Sequence, residues 1–532
     1  KGSNFRLHSL CKSFHGIISS SRLPSADIFG AILSFLSANH FSRIPATCSL
    51  PINKMPVSAA QQLAELILQA VKDIEADTAT RIPGAQTTDI NLPTVAAEDH
   101  LEATPHRRAA LRTLKGATHQ LLATLMPAGL HVQELHYSHF QTTALDIAAR
   151  ARIADLIYSI DPDSTKGGVH VAILAEKAGM DSRKLTHVLR FLAIRNVFVE
   201  EKPDHFSNNR HSFPLRTDSA NTLWNALGHL KEEIGLPAFV ELPEVLLDKE
   251  GGRALSWDHT HSAFQKYYQP GCDYFEFLAR SKDGYRAKRF GKTMIELSRA
   301  SGIGEAHYKG YDWEKLGPNG ILIDVGGGIG GHAYHIATYL PSWKIVVQDR
   351  PEVVKDGKEH YKKIASKANL EFEEVDFFKE QPPHRAQEVD VYFLRQILHD
   401  WPGRLPAGET AAWLKETDHQ STSTSAKACV EILTQLRKAA KPTSRLLIAE
   451  IGLEPPLLDR QSPILANGGM ATFLSHNFSL SMMTVFNSEE RSTQQFTEIF
   501  GKAGWKLESV STLTTVLDRF IFEGVPDPSW KQ

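Results

Sequence analysis

The hydrophobic pattern changes its period partway along the chain. In the amino-terminal part, apolar residues recur at three- and four-residue spacings, which is typical of amphipathic helices. From residue 321 onward, short apolar runs alternate with helical patterns, and this alternation predicts a parallel, doubly wound sheet. We therefore expect an α/β protein whose first part is mainly helical and whose sheet domain follows it.

Two helices are predicted at the start of the helical part. Ser58 is a suitable N-cap for the first helix, because its hydroxyl can accept a bond from a free N–H of the first turn. Residues 76–105 are polar and lack periodicity, so we interpret them as a loop. A second helical pattern runs over Arg107–Met126, and Pro127 would end it.

Residues 143–199 show the pattern of a winged helix, which is three short helices followed by a β-ribbon. The helices are predicted from Ala144 through Ile157, over Val171–Ala178 and after the N-cap Asp181, and Val197–Glu200 is the strand. Winged helices often bind DNA, but the third helix carries only a few basic residues, mixed with core positions. We therefore predict a packing or dimerisation module.

The predicted sheet has five parallel strands and a closing antiparallel pair. The parallel strands are expected at 321–325, 344–348, 371–375, 389–394 and 445–450. Helices are expected at 331–339, 351–367, 428–440 and 493–503. Two late apolar runs, 505–511 and 515–522, are the candidates for the antiparallel pair. Residues 403–427 are polar and serine-rich, and we interpret them as a surface insertion.

These patterns divide the chain into four predicted segments. They are residues 1–54, a helical extension with a linker over 55–135, a winged-helix dimerisation domain over 136–300, and the sheet domain over 301–525. The first segment is serine-rich, and Met55 after it has the context of a native start. We expect residues 1–54 to be a disordered upstream extension or a gene-model addition, with a targeting peptide as the alternative.

Composition excludes several classes of function. The chain has 59 basic and 61 acidic side chains and a formal net charge of -2, so no broad attraction to nucleic acid or to an anionic membrane is expected. Its four cysteines are far apart and form no disulfide or zinc pattern. No apolar run is long enough to span a bilayer. We therefore predict a cytoplasmic protein without a nucleic-acid or membrane partner.

A glycine-rich loop follows the first predicted strand. Gly326 and Gly328 let the chain turn sharply and approach a ligand, to which the next helix offers free N–H groups. Asp349 ends the second strand, where a carboxylate can accept bonds from ribose hydroxyls. Asp376 and Phe377 follow the third strand, where an acid and an aromatic ring suit an adenine. This constellation predicts a nucleoside site. Gly326, Gly328 and Gly331 also satisfy the dinucleotide fingerprint GxGxxG, so an NAD-dependent oxidoreductase is the alternative.

A histidine lies at the edge of the predicted sheet where ligands collect. His399 follows the fourth strand, and an unperturbed histidine pKa of about 6.5 suits a general base. Glu450, which ends the fifth strand, and Glu490, just before a helix, are candidates for holding its ring in one tautomer. We see no carboxylate cluster suited to magnesium, and we predict chemistry without a metal.

Residues from about 140 to 525 resemble the plant and fungal small-molecule O-methyltransferases, which include caffeic acid and flavonoid O-methyltransferases. The motifs that carry the resemblance are Ile323–Gly330, Gln348–Pro351, Val375–Phe378, Leu398–Trp401, Ala449–Glu450 and Glu490–Ser492. The resemblance implies a class I, Rossmann-like methyltransferase domain and a homodimer built through the helical domain. It also implies S-adenosylmethionine as cofactor and a hydroxyl of a small aromatic molecule as acceptor.

The resemblance also implies roles for individual residues. The cofactor would be bound by Asp324, Gly326, Gly328, Asp349, Asp376, Phe377 and Arg395. His399 would be the base, Glu450 and Glu490 would orient it, and Asp400 would lie near the substrate or support the site. The regions that line the family's acceptor pocket correspond here to those of Met294, Met483 and Phe486.

Two departures from the plant members bear on the substrate. Arg395 stands where many plant members have a lysine, and Gly291 replaces an asparagine that contacts the substrate in some of them. We therefore expect a fungal acceptor such as a polyketide phenol. Two further functions stay open on the sequence alone, namely methylation of an aromatic amine and a non-catalytic regulator that uses the winged helix.

Overall fold

The computed structural model describes residues 57–84, 89–92, 104–300, 305–364, 369–402, 426–513 and 519–531. The predicted extension 1–54, Met55 and residues 403–425 of the predicted insertion lie outside the described residues. The described residues from Ser58 onward belong to one compact unit. The predicted domain boundaries within this unit stay predictions.

The secondary structure alternates as the sequence predicts. The α-helices are α1 (Ala59–Arg81), α2 (Pro105–Leu125), α3 (Ala128–His136), α4 (His139–Arg150), α5 (Ile153–Ile160), α6 (Val171–Ala178), α7 (Ser182–Ala193), α8 (Trp224–His229), α9 (Leu236–Leu246), α10 (Ala263–Tyr268), α11 (Tyr274–Ala279), α12 (Tyr285–Ala300), α13 (Gly331–Tyr339), α14 (Pro351–Ile364), α15 (Lys427–Ala439), α16 (Phe473–Phe486) and α17 (Thr493–Lys502). The strands are β1 (Val169–His170), β2 (Val199–Lys202), β3 (His205–Ser207), β4 (Ile321–Val325), β5 (Lys344–Asp349), β6 (Leu370–Glu374), β7 (Val391–Arg395), β8 (Arg445–Ile451), β9 (Trp505–Thr512) and β10 (Arg519–Pro526). None of the helices in the described part of the chain has the length and apolar composition needed to cross a membrane.

The first two helices form a hairpin. Ser58 caps α1 through a capping box with Gln61, which confirms the predicted start. The helix continues to Arg81, so the predicted loop from residue 76 begins too early. The cause is tertiary, because Asp77 in the last turn pairs with Arg107 of α2 at 3.0 Å, and both side chains are nearly buried.

The winged-helix pattern is confirmed, with one correction. Strand β1 lies between α5 and α6, strands β2 and β3 follow α7, and the three strands form a small sheet of order β1–β3–β2. The prediction of one continuous helix from Ala144 through Ile157 is wrong, because the helix is interrupted at residues 151–152, between α4 and α5. Arg152 takes a left-handed conformation there (φ 55°), and its guanidinium binds Asp155 at 3.1 Å. The spacing of hydrophobic residues does not reveal a left-handed residue whose side chain forms an ion pair.

The main sheet has seven strands in the order β6–β5–β4–β7–β8–β10–β9. Strands β4 to β8 pair in parallel, and β10 pairs antiparallel with both β8 and β9. Helices α15 and α17 cover one face, and α13 covers the other. This is the predicted doubly wound α/β fold. The last strand is described over Arg519–Pro526, and residues 515–518 of its predicted range lie outside the described residues.

Candidate active site

The glycine loop has the geometry of a ligand cradle. Gly326 (φ 71°) and Gly328 (φ 60°) both take the left-handed conformation that glycine adopts without strain. A Cβ added to Gly326 would lie 2.5 Å from Cδ1 of Ile397, so the backbone must be bare there. The Gly328 N–H donates to Oδ2 of Asp349 at 2.8 Å, which joins the loop to the carboxylate that ends β5.

Asp324 lies in β4 next to the loop that follows this strand, and its predicted contact with the cofactor stays a prediction. Its side chain is buried, with 1% of the residue exposed. It accepts a hydrogen bond from the Ala333 N–H in the first turn of α13, and burial raises its pKa to about 7. A Cβ on Gly327 would come within 2.6 Å of this carboxyl group. Asp324 therefore supports the loop.

Asp376 and Phe377 lie beside the loop at the same edge of the sheet. Asp376 is exposed and accepts a hydrogen bond from the Phe378 N–H at 3.1 Å. The half-buried Phe377 ring packs edge-to-face on Trp401, with 5.7 Å between the ring centroids. An added Cβ on Gly326 would lie 3.8 Å from this ring, which places Phe377 next to the loop.

His399 lies in a single 3-10 turn, Leu398–Asp400, directly after β7. The residue is 7% exposed. Its Nδ1 lies 2.7 Å from Oε1 of Glu490, and its Nε2 lies 3.5 Å from Oδ1 of Asp400. Oε2 of Glu450 is 3.8 Å from Nδ1. The structure therefore brings together the histidine and all three carboxylates that the sequence predicts around it.

The turn that carries His399 is held from several sides. Oε1 of Glu450 accepts the N–H groups of Ile397 and Leu398, each at 2.9 Å. Arg491 is 1% exposed and donates to the carbonyls of Leu398 (2.8 Å) and Trp401 (3.1 Å). Sequence reasoning gave Arg491 no role, although it adjoins Glu490 in the same motif. Each side chain satisfies a buried backbone group, which fixes the position of the turn.

Charge in this cluster favours protons on the histidine. Burial opposes the imidazolium, but Glu490, Glu450 and Asp400 outweigh burial and raise the pKa of His399 to about 10. Burial, together with repulsion from Glu450 and Glu490, raises the pKa of Asp400 to about 7 against the opposing effect of His399. Burial also raises the pKa of Glu450. A pKa of about 10 makes the imidazolium the main form of His399 at neutral pH, with its Nδ1–H directed at Glu490, and the neutral base is the minor form.

Aromatic side chains form a wall near this turn. Tyr274 and Phe275 of α11 pack against Phe486, at 5.2 and 5.7 Å between ring centroids. Met483, one turn earlier on α16, is half-buried. Met294 is 39% exposed on α12, and the structure does not place it in this aromatic cluster. Of the three predicted acceptor-pocket residues, Phe486 is therefore the one in the wall.

The residues present fit S-adenosylmethionine. The bare backbone at Gly326 leaves room for a ligand, and Asp349, Asp376 and Phe377 offer contacts for ribose and adenine. Three atoms of His399, Glu450 and Glu490 also lie within 4.8 Å of one another, close enough to hold a metal ion. Glu450 Oε1 already accepts a backbone N–H, and His399 Nδ1 already shares a hydrogen bond with Glu490. The three side chains are therefore hydrogen-bonded without a metal ion between them.

Comparison with known proteins agrees with the geometry. Residues 254–405 match the model of the O-methyltransferase domain. The chain is 30% identical over 443 residues to the O-methyltransferase gedA of Aspergillus terreus, covering 75% of this chain and 83% of the relative. It is 28% identical over 482 residues to the O-methyltransferase tpcA of Aspergillus fumigatus, covering 82% of this chain and 92% of the relative.

A solved structure shares the fold. NcsB1, an O-methyltransferase from neocarzinostatin biosynthesis, was solved with S-adenosylmethionine and 2-hydroxy-5-methyl naphthoic acid. It superimposes with a TM-score of 0.51 at 21% identity, covering 73% of this chain and 96% of that chain.

The fold and the cradle define a class I methyltransferase that uses S-adenosylmethionine. The chain belongs to the O-methyltransferase family, and it is a fungal-type S-adenosylmethionine-dependent O-methyltransferase. This assignment replaces the alternative of an NAD-dependent oxidoreductase.

Proposed function

We propose that this enzyme methylates a phenolic hydroxyl of a small aromatic metabolite, with His399 as the general base and without a metal. The observation that carries the proposal is the 2.7 Å contact between His399 Nδ1 and Glu490. Because Glu490 occupies Nδ1, Nε2 is the nitrogen left to take a proton from an acceptor.

Besides the base, methyl transfer requires mainly that the protein align the two reactants. The cofactor supplies an activated methyl group on a cationic sulfur, and transfer depends mainly on alignment with the attacking oxygen. A phenol has a pKa of about 10 by analogy with tyrosine. The pKa of His399, also about 10, makes proton transfer from a phenol nearly balanced. Glu490 and Glu450 then stabilise the imidazolium that results, and the clamped turn keeps its ring in place.

The aromatic wall supports an aromatic acceptor. Tyr274, Phe275 and Phe486 present ring faces and edges suited to a flat apolar ligand. The wall reaches toward the cofactor site, because the guanidinium of Arg350, the residue after Asp349, lies 5.6 Å from the Phe275 ring centroid. The NcsB1 complex with a naphthoic acid is consistent with such an acceptor on this fold. A polyketide phenol is the acceptor class that we propose.

Substitution of His399 by alanine tests the base. We expect His399→Ala to abolish methylation of a phenol panel while binding of S-adenosylhomocysteine, measured by calorimetry, stays within about threefold. His384→Ala is the matched control, because His384 also pairs with a glutamate but is largely exposed and lies away from the site. Turnover by His399→Ala equal to that of wild type would exclude the base role. Retained turnover of aromatic amines alone would favour the amine acceptor.

Metal independence has its own test. Full activity after dialysis against a chelator would support it, because no step then needs a Lewis acid. Activity lost on chelation and restored by one divalent cation would show instead that His399, Glu450 and Glu490 bind a metal.

A homodimer in the cytoplasm completes the proposal. Helix α3 has no buried residue, and its Val132 and Leu135 are 65% and 61% exposed. Phe239 of α9 is 71% exposed, and its ring lies 5.9 Å from that of His139 at the start of α4. An apolar surface of this kind is typical of an interface. We expect a dimer by analytical ultracentrifugation, and a Leu135→Asp variant that is monomeric. A wild-type monomer at micromolar concentration would refute it. The cytoplasmic location stays a prediction that imaging of the tagged full chain would test.

A further inference from the structure

Charged side chains are ordered along the carboxyl edge of the main sheet. On the face covered by α13, Asp324 of β4 pairs in register with Val347 of β5 and Phe393 of β7. Asp349 and Arg395 are each two residues further along their strands, so both point to the same face. On this face β4 and β5 therefore carry acidic residues, and the next strand, β7, carries a basic residue.

A second arginine continues this row on β10. Arg395 pairs with Ala449 of β8, and Ala449 pairs with Ile521 of β10. Arg519 is two residues from Ile521, so it shares the face of Arg395 and is separated from it by one strand. On that face β8 presents Ala449 opposite Arg395 and Ile451 opposite Arg519.

This arginine pair, Arg395 and Arg519, lacks an anionic partner. Arg519 is 5% exposed, and its Nη1 donates to Oε1 of Gln396 at 3.2 Å. The Nε atoms of both arginines are buried without a hydrogen bond. Among the described residues, no carboxylate oxygen comes within the 4.0 Å of an ion pair with either guanidinium. A buried cation without a partner is costly, so the site favours an anionic ligand.

The electrostatics of the neighbourhood agree. Burial and repulsion from Arg395 lower the pKa of Arg519 to about 9, although Glu490, Tyr308 and Glu450 act in the opposite direction. Burial also lowers the pKa of Arg395, while Tyr308, Glu450 and Asp324 act against this effect. Two cations that repel each other in a buried place gain most from an anion between them.

We propose that Arg395 and Arg519 together bind the carboxylate of the amino-acid portion of S-adenosylmethionine. The order of contacts along the edge supports this assignment. Asp376 follows β6, Asp349 ends β5, and the glycine loop follows β4, so the contacts for adenine and ribose come first. The arginines on β7 and β10 come next, which matches the order of adenosine and amino-acid tail in the cofactor. Arg519 thereby gains a role that no sequence motif gives it.

Two ligands that differ by the tail isolate this contact. S-adenosylhomocysteine carries the amino-acid carboxylate, and 5′-methylthioadenosine lacks the whole amino-acid portion. For Arg519→Met we expect calorimetric affinity for S-adenosylhomocysteine to fall roughly 10- to 100-fold, the range for a charge-assisted hydrogen bond. Affinity for 5′-methylthioadenosine should change less than about twofold, since it makes no contact with Arg519. Arg519→Lys, which keeps the charge but loses the fork, should fall between wild type and Arg519→Met.

Arg445→Met is the matched control. Arg445 begins β8 at the opposite end of the sheet and forms ion pairs with Glu508 and Glu523, so neither ligand should bind differently. Equal losses for both ligands in Arg519→Met, or no loss for either, would overturn the proposal. If that variant does not fold, the wild-type protein can be tested with S-adenosylhomocysteine whose carboxyl group is amidated. This amide should bind wild type as weakly as 5′-methylthioadenosine does. Tight binding of the amide would refute the contact. Wild type that binds neither ligand would instead contradict the adenosine site.

Discussion

Removal of one negative charge beside His399 gives the most direct test of the site. Glu490→Gln keeps the shape of the side chain and an oxygen that can accept the Nδ1–H bond, but it removes the charge 2.7 Å from the ring. That charge is one of three that raise the pKa of His399 to about 10. The base acts only when deprotonated, so kcat/KM should rise with pH through this pKa. The variant should therefore move the rise to lower pH.

The size of the shift follows from the geometry. An opposite charge at this range typically moves a pKa by about 1–3 units, and each unit corresponds to about 1.36 kcal/mol. Glu450 and Asp400 remain, so we expect a shift of roughly 1–2 units downward. Each unit raises the neutral fraction of His399 at pH 7 about tenfold, while the base becomes intrinsically weaker. The position of the rise is thus diagnostic, and the maximal rate is not.

The assay is kcat/KM for a turned-over phenol between about pH 6 and pH 11, which reports the pKa values of the free enzyme and free substrate. The phenol's own ionisation contributes equally to wild type and variant. Glu489→Gln is the control, because Glu489 is the adjacent residue, binds Gln495 at 3.2 Å and does not contact His399. An unchanged rise in Glu490→Gln, or one moved to higher pH, would refute the reasoning.

Three further predictions concern the frame of the site. Arg491→Met removes the guanidinium donor from the Leu398 and Trp401 carbonyls, which keep the Cys429 thiol and, for Leu398, the Trp401 N–H, so we expect a loss of about 1–3 kcal/mol of stability by denaturant unfolding; unchanged stability would contradict the clamp. Gly326→Ala places a Cβ 2.5 Å from Ile397 at a φ of 71°, and it should weaken S-adenosylhomocysteine binding at least about tenfold. A Cβ added at Gly331 would have no atom within 4 Å, so Gly331→Ala should bind S-adenosylhomocysteine as wild type does. Equal effects of Gly326→Ala and Gly331→Ala on this affinity would contradict the role of the glycine loop as a ligand cradle. Removal of residues 1–54 should leave folding and activity unchanged, and loss of soluble protein on that truncation would show the segment to be needed.

The sheet domain can be predicted well because its signals are local. Buried parallel strands are continuous apolar runs bounded by turn residues, and the bounds of Ile321–Val325 agree with the prediction at both ends. Helix Gly331–Tyr339 also has the predicted bounds, since the glycine loop fixes its start. The break at Arg152 and the extra turn of α1 at Asp77 are not predicted. Both features depend on an ion pair, Arg152 with Asp155 and Asp77 with Arg107, and hydrophobic periodicity does not predict such pairs.

The candidate site divides in the same way. Most of its motif residues can be predicted because they lie at or just after the ends of parallel strands, which meet at one edge of the sheet, and Glu490 is predicted from its motif just before α17. Arg519 cannot, because its place depends on β10 pairing antiparallel with β8 in a register that the sequence does not display. Gln396 is similar: it takes a strained left-handed φ of 50° two residues before the turn that carries His399, and its side chain accepts a hydrogen bond from Arg519. The strain is tolerated because Glu450 and Arg491 fix the turn that follows. The candidate histidine can thus be predicted from the sequence, whereas the contacts that hold its turn arise only when distant strands pair.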